Sequence, residues 1–594
     1  MKQLLIGIDV GSTTTKITVL NKTTESLLYS DYRRHHADQL ASVLFAIRYA
    51  DMAEDSFHQE LLAEGERILK QVTEENRYAV IPASRPYQND PLVNHNLPEM
   101  FTSLGIPVLT ADAVPGVNDV DLTNSRLDVV NNYHARMLGS AVIAAENPHL
   151  EYVQIVSFGC GHDAYLSDEI IRLMKQGSGK IPLVLKLDES EIQGPLRIRV
   201  RSFIETVRMQ REKHEEAPVH ALTDPYPVKY EKKDRKERIV LIPNTSHAFC
   251  RVMSAAMERQ GLPLPIGRDE AIRLGKKYVH NDICFPAQIV IGEALAALKS
   301  GKYDGKDVAI ATGKYIGDCR LTHYSALLRK ALDDAGFSDV PILTNDDADF
   351  HNLHPGFRLN LLSALRIAYA LPMIDILEEL LRKIRPYELT KGNADAAFEQ
   401  AMDAVIDGLS RHGVNGAKHG FEIIEARMSD VIQKSYFYRD MQVREYHLHK
   451  PLQEKLWYRM ADLFFDLAHD AADKIASAHP LYDRPAVRLP ELVKESDPII
   501  HHTFDAGEGV LIPGEILHHA AHGCRAFVIL QPFGCLPNHV GGRGISKRLK
   551  ELYPDIQILP LDYDPDVSFA NIENRLQMLI MNAREQEAEK DKTK

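Results

Sequence analysis

The residues best suited to chemistry are three cysteines. Cys284 stands in VHNDICFPAQ (279–288), Cys319 in GDCRLTHY (317–324) and Cys535 in QPFGCLPNH (531–539). Each lies beside Gly, Pro or Asp at the end of an apolar run that reads as a strand. Thiolates bind iron strongly, and Gly or Pro neighbours let backbone N–H groups turn toward sulfur. Three such thiols, distant in sequence but all at strand-to-loop junctions, suit an iron–sulfur site where several strands end. Taken singly, a buried cysteine is more often core packing; the trio with these flanks is what points to iron.

The rest of the chain must build a frame for that site. At 594 residues, 44% hydrophobic and 26% charged, it is long enough for several domains and can bury a full core. A net charge of −13 argues against general nucleic-acid affinity. No apolar run reaches membrane-spanning length, and the start MKQLLIGIDVGS meets Gly and Asp too early for a signal peptide, so the expected location is the cytoplasm. Six cysteines in so long a chain are thiols or metal ligands rather than a disulfide framework.

Residues 4–20 read as a β-hairpin whose polar turn suits a phosphate. Gly11 lets the backbone approach an anion, Ser12, Thr13 and Thr14 can donate to phosphate oxygens, Asp9 can hold hydrated magnesium, and Lys16 adds a cation. The plainer reading is a polar hairpin turn. DVGSTTTK (9–16) resembles the first phosphate motif of the actin, sugar-kinase and Hsp70 superfamily, and most closely the ATPases that activate 2-hydroxyacyl-CoA dehydratases and benzoyl-CoA reductases. The resemblance implies ATP with magnesium as ligand. Neither the second phosphate motif nor the adenosine motif of that superfamily follows residue 50, so the hairpin reads as a remnant.

From residue 51 short apolar runs alternate with helical stretches, which implies parallel βαβ units with ligands beyond the carboxyl ends of the strands. Arg85, Cys160, His162 and Asp163 fall there. A polar Asx-type turn with a solvated imidazole is the plain alternative for His162 and Asp163. RPYQNDPLVNH (85–95), SFGCGHD (157–163) and LKLDES (185–190) resemble the large fused dehydratase–activase proteins of anaerobes, and so do the three cysteine motifs. The resemblance implies Cys160, Cys284, Cys319 and Cys535 as iron ligands of a [4Fe–4S] or related cluster. It also implies His162 and Asp163 beside them as catalytic or gating groups, with Arg85 as a further catalytic candidate. Cys250, inside an apolar helix, is core, and the histidines of HHAAHGC (518–524) are not read as a zinc site.

The expected fold is α/β: two parallel-sheet, flavodoxin-like domains with a helical insertion and a short N-terminal actin/Hsp70-like hairpin. The expected boundaries are 1–50 for a partial ATPase segment, 51–208 for an α/β domain and 209–237 for a charged linker. A second α/β domain spans 238–356, interrupted by a helical insertion at 357–500 and completed by 501–585, with a charged tail at 586–594. The chain then reads as a shortened member of the fused family. It is either a reductase- or dehydratase-type iron–sulfur enzyme or a component of a dehydratase activator, passing low-potential electrons to a small or acyl-CoA substrate. An ATP-dependent reductase or another electron donor is the implied partner, and a homodimer stays open. Two alternatives are a non-catalytic scaffold or electron-carrying subunit without ATPase activity, and an ATP-binding activase.

Overall fold

The structure, a computed structural model, describes residues 4–10, 14–21, 26–34, 39–157, 159–187, 193–213, 218–244, 246–257, 261–264, 268–315, 317, 319–344, 351–412, 428–477, 487–564 and 568–593. The side chains of residues before 54, of 268, 408–412 and 428, and of 586–593 fall outside the description. The chain divides into two units, the first made of 1–122, 131–156 and 170–222, the second of 123–130, 157–169 and 223–594. The architecture is mixed α/β with parallel sheets, as the alternation of strand and helix patterns requires.

In the first unit β1 (Leu4–Val10), β2 (Thr14–Asn21) and β3 (Ser26–Arg34) form an antiparallel sheet in which Asp9 pairs with Lys16. A helix over Gln39–Glu74 follows and runs unbroken through residue 50. Gly65 lets it close onto another segment: a Cβ there would lie 1.8 Å from the Ala113 carbonyl oxygen. The second sheet has the order β4 (Ala79–Ala83), β5 (Leu150–Ser157), β6 (Leu183–Leu187), with β4 and β5 parallel. Strand β4 is buried throughout, which is why AVIPA shows no polar alternation. Val80, Val153, Ile155 and Leu185 pack there with Leu97 and Phe101.

In the second unit β7 (Ile239–Ile242), β8 (Gly261–Pro263), β9 (Val308–Ala311) and β10 (Ile342–Leu343) make a parallel sheet of order β10-β9-β7-β8. The chain builds outward from β7 to one side, then crosses back to place β9 on the other. Such a reversal leaves a crevice beyond the carboxyl ends of β7 and β9, the usual ligand position in open α/β sheets. Long helices follow over Leu361–Ile384, Asn393–His412, Met428–Glu445 and Leu452–Ala476. The apolar faces of the first, second and fourth of these meet at Ile374, Leu377, Met402, Val405 and Ala472. Strands β11 (Ala526–Pro532) and β12 (Gln557–Tyr563) pair in parallel in a sheet of their own, over a core of Ile516, Ile529 and Leu549. No helix among the described residues is long and apolar enough to cross a membrane.

Candidate functional site

The three cysteines read as the centre of the chain all stand immediately before a helix or helical turn. Cys284 caps the helix Phe285–Lys299, Cys319 a 3₁₀ turn over Arg320–His323, and Cys535 the short turn Leu536–Asn538. All three have extended backbone, with φ of −61°, −70° and −74°. The sequence dictates this locally. Pro286 and Pro537 fix φ and need no hydrogen bond in a first helical turn, so the chain bends into a helix directly after Cys284 and Cys535. Cys319 and Cys535 follow β9 and β11, as their flanks predict. Cys284 does not follow a strand: its apolar lead-in, Val279–Ile283, is a turn between two helices, because Asn281 and Asp282 interrupt any extended run.

The tertiary fold brings the three segments together. The Phe285 N–H donates to the Phe533 carbonyl at 2.9 Å, and a Cβ on Gly534 would stand 3.2 Å from the Cys284 Cα. Gly534 has φ +69°, a conformation open to glycine, and it permits this approach. A Cβ on Gly507 would lie 3.6 Å from Cys319 Sγ and 3.1 Å from the Pro537 ring, so the loop 505–509 bridges Cys319 and the Cys535 turn. The thiols also sense one another. Burial pushes the Cys319 thiol up to about 12, with Glu508, Cys284 and Cys535 adding to it. Burial and then Glu508 push Cys535 to about 11. The Tyr324 hydroxyl, 3.2 Å from Cys284 Sγ, is held well above its ordinary range by burial and then by Cys284, Cys319 and Cys535.

Cys160, half-buried, belongs to the same unit. Its N–H donates to the Ser157 carbonyl at 3.2 Å, and the buried Asp163 carboxylate accepts the Ser157 N–H at 2.8 Å. Asp163 therefore pins the turn that carries Cys160. His162 Nδ1 lies 3.1 Å from the Tyr165 hydroxyl, and the Tyr165 ring meets His323 at 4.1 Å between centroids. Gly161 presses on Arg320, since a Cβ there would sit 2.2 Å from the guanidinium Nε. The Cys160 loop and the residue after Cys319 are thus in direct contact.

Arg85, at the start of a 3₁₀ turn after β4, belongs to the first unit, and its backbone N–H donates to Gln88 Oε1 at 2.9 Å. Gly11, Ser12 and Thr13 lie outside the described residues, and of Asp9, Thr14 and Lys16 only the backbone pairing is described. Cys250 is core, its thiol donating to the Pro243 carbonyl at 2.9 Å. Among the 518–524 histidines, His518 lies 3.1 Å from Glu495, and His522 Nδ1 stands 2.8 Å from the His518 carbonyl. A separate group of potential metal-ligating atoms, from Asp497, His501 and His502, lies toward the surface.

Several residues around the thiols carried no weight in the sequence reading. Asn538 Nδ2 donates to Cys535 Sγ at 3.2 Å and to Glu508 Oε1 at 2.8 Å. The buried Lys434 ammonium donates to Asp505 Oδ1 at 2.9 Å, is 3.2 Å from the Tyr315 hydroxyl and lies 4.1 Å above the Tyr438 ring. Tyr315 also donates to Asp505, whose other oxygen accepts from Gln442 at 3.1 Å. Arg320, Tyr324 and Asn538 were visible in the quoted cysteine motifs, whereas Lys434 sits in a helix with no motif to mark it.

Residues 8–114 match the sequence profile of a family described as a CoA enzyme activase uncharacterised domain. This stretch, under a fifth of the chain, is similar to that domain. The matched stretch runs from β1 through the helix Gln39–Glu74 and β4 to Val114, and all six cysteines follow it. No curated protein matches the chain, and no solved structure does.

The donor set fits an iron–sulfur cluster. Three thiols from separate segments converge without disulfides, at positions whose following backbone N–H groups begin helices, and Asn538 and Tyr324 already hydrogen-bond to two of the sulfurs. Thiolate ligands and N–H or O–H donors to sulfur are what such clusters require. Cys284, Cys319 and Cys535 would hold the group, with Cys160 presented by the adjoining loop.

Proposed function

We propose that this chain is an iron–sulfur redox protein related to 2-hydroxyacyl-CoA dehydratases and their activators. It takes low-potential electrons from an external donor and passes them to a small or acyl-CoA substrate. The observation that carries the reading is the convergence of Cys284, Cys319 and Cys535 at three helix starts, with Gly534 and Gly507 shaped to let them meet. The activase-family match over 8–114 supports the association with CoA-ester chemistry. When bound, the cluster would supply one-electron transfer. The chain's own residues would exclude water from it through burial, donate to its sulfur ligands from Asn538 and Tyr324, and position the Cys160 turn through Asp163.

Anaerobic purification or reconstitution, with iron and acid-labile sulfide counts and a visible spectrum, tests this directly. Iron and sulfide should be present in equal amounts, and Cys319→Ser should lose most of both. A folded, colourless chain that takes up no iron would end the redox reading. The same match favours a second reading, an activase role served by the N-terminal strands, where the backbones of Asp9 and Lys16 pair between β1 and β2. It requires magnesium-dependent ATP binding that disappears in Asp9→Ala.

A further inference from the structure

Arg320 is a buried cation that the described residues leave uncompensated. Only 8% of its surface is exposed, and neither Nε nor Nη1 has a hydrogen-bond partner among the described residues. A guanidinium stays charged at any physiological pH, and its donors are costly to bury without acceptors. Other buried cations of this unit are paired: Lys434 with Asp505, Lys314 with Asp128 at 2.6 Å, and Arg126 with Glu169 at 2.7 Å. The nearby carboxylate of Glu508 is engaged by Asn538 and stands 3.9 Å from Cys535 Sγ.

Its position explains the exception. Arg320 directly follows Cys319. A Cβ on Gly161, next to Cys160, would collide with Nε at 2.2 Å and Cζ at 2.6 Å. A Cβ on Gly534, next to Cys535, would stand 3.7 Å from Nη1 and 3.2 Å from the Cys284 Cα. The guanidinium thus lies among the segments of all four candidate ligands, and glycine on two sides makes the room for it. Free thiols are largely neutral near neutral pH, whereas metal binding converts them to thiolates. Negative charge therefore arrives in this pocket together with the metal–sulfur unit.

We propose that Arg320 is the anion-holding residue of the four-cysteine pocket, whose buried Nε and Nη1 would donate to the bound iron–sulfur unit and whose charge would offset its negative charge. This rests on the iron–sulfur reading above. It makes Arg320 a positioning residue that sets cluster retention and reduction potential, a role no cysteine pattern assigns.

The test uses the full-length chain, reconstituted anaerobically, with Arg320→Gln and Arg320→Lys. Circular dichroism establishes that each variant is folded, and Arg320→Lys, which keeps the charge, serves if the glutamine variant is not. Arg320→Gln should move the midpoint potential to more negative values and lose iron to a chelator about tenfold faster, the usual scale for removing a group that supports metal ligands. Arg320→Lys should keep most of the potential and lose part of the retention, because the charge remains and the fork does not. An iron-loaded Arg320→Gln with unchanged potential and retention overturns the proposal and leaves the cluster reading standing. A parent chain that takes up no iron overturns both. Inorganic phosphate titrated into the iron-free parent and Arg320→Gln chains separates the other source of negative charge. Phosphate binding that depends on Arg320, with the potential unmoved by its loss, assigns the guanidinium to a free oxyanion and overturns the proposal.

Discussion

Glu293→Gln should stabilise the protein at alkaline pH and leave it unchanged in acid. Glu293 lies on the helix Phe285–Lys299 that begins at Cys284, and it is almost fully buried. Burial pushes its carboxyl from an ordinary 4.5 up to about 7, opposed only by the Asn244 N–H, which reaches it at 3.4 Å. Below pH 4.5 the group is neutral in folded and unfolded chains alike, so it exerts no penalty. Between there and about pH 7 the unfolded chain releases the proton while the folded chain keeps it. Stability then falls by about 1.4 kcal/mol per pH unit, about 3 kcal/mol in all, and stays reduced above. Glutamine keeps the acceptor for Asn244 and removes the titration. Calorimetry of parent and variant at roughly pH 4.5 and 8 should give coincident midpoints in acid and a variant higher by a few degrees in base. An equal difference at both values, or a variant less stable at the higher pH, would refute burial as the dominant influence on Glu293.

Lys434→Met removes a buried cation from Asp505 while Tyr315 and Gln442 remain. It should cost about 3 kcal/mol in denaturant unfolding, and Lys434→Met/Asp505→Asn should recover part of that because no lone carboxylate is left. His502 lies between Asp497 at 2.7 Å and Glu445 at 3.1 Å; desolvation lowers its pKa, but the hydrogen bonds to both carboxylates outweigh it and raise the value above 6.5. Its contribution is therefore full below pH 6.5 and lost as pH rises through the higher folded value. His502→Gln should lower the thermal midpoint at about pH 5.5 and have little effect near pH 9, a difference that added salt reduces.

The α/β class was legible because a buried parallel strand and an amphipathic helix leave different apolar periods, as AVIPA and the Leu452–Ala476 helix show. The cysteine flanks were legible for a local reason too: Pro286 and Pro537 constrain their own neighbours, and glycine marks positions where backbones approach. The lead-in to Cys284 misled because Val279 and Ile283 are apolar for packing, both being buried, and not through membership of a strand. Asp163 was read as a candidate catalytic group; the sequence did not show that its carboxylate also holds the Ser157 N–H, a six-residue relation across the end of β5 and the start of the following helix.

By itself, then, the sequence determined which residues could ligate iron and the local bends that carry them, since thiol chemistry, proline and glycine act within a few residues. Only the tertiary structure decided that the three thiol segments meet, that Lys434 from the helical segment reaches Asp505, and that Arg320 is enclosed between Gly161 and Gly534 with no acceptor for Nε or Nη1 among the described residues. Those facts depend on pairings across hundreds of residues, fixed by the summed packing of sheets and helices. No short stretch of sequence records them.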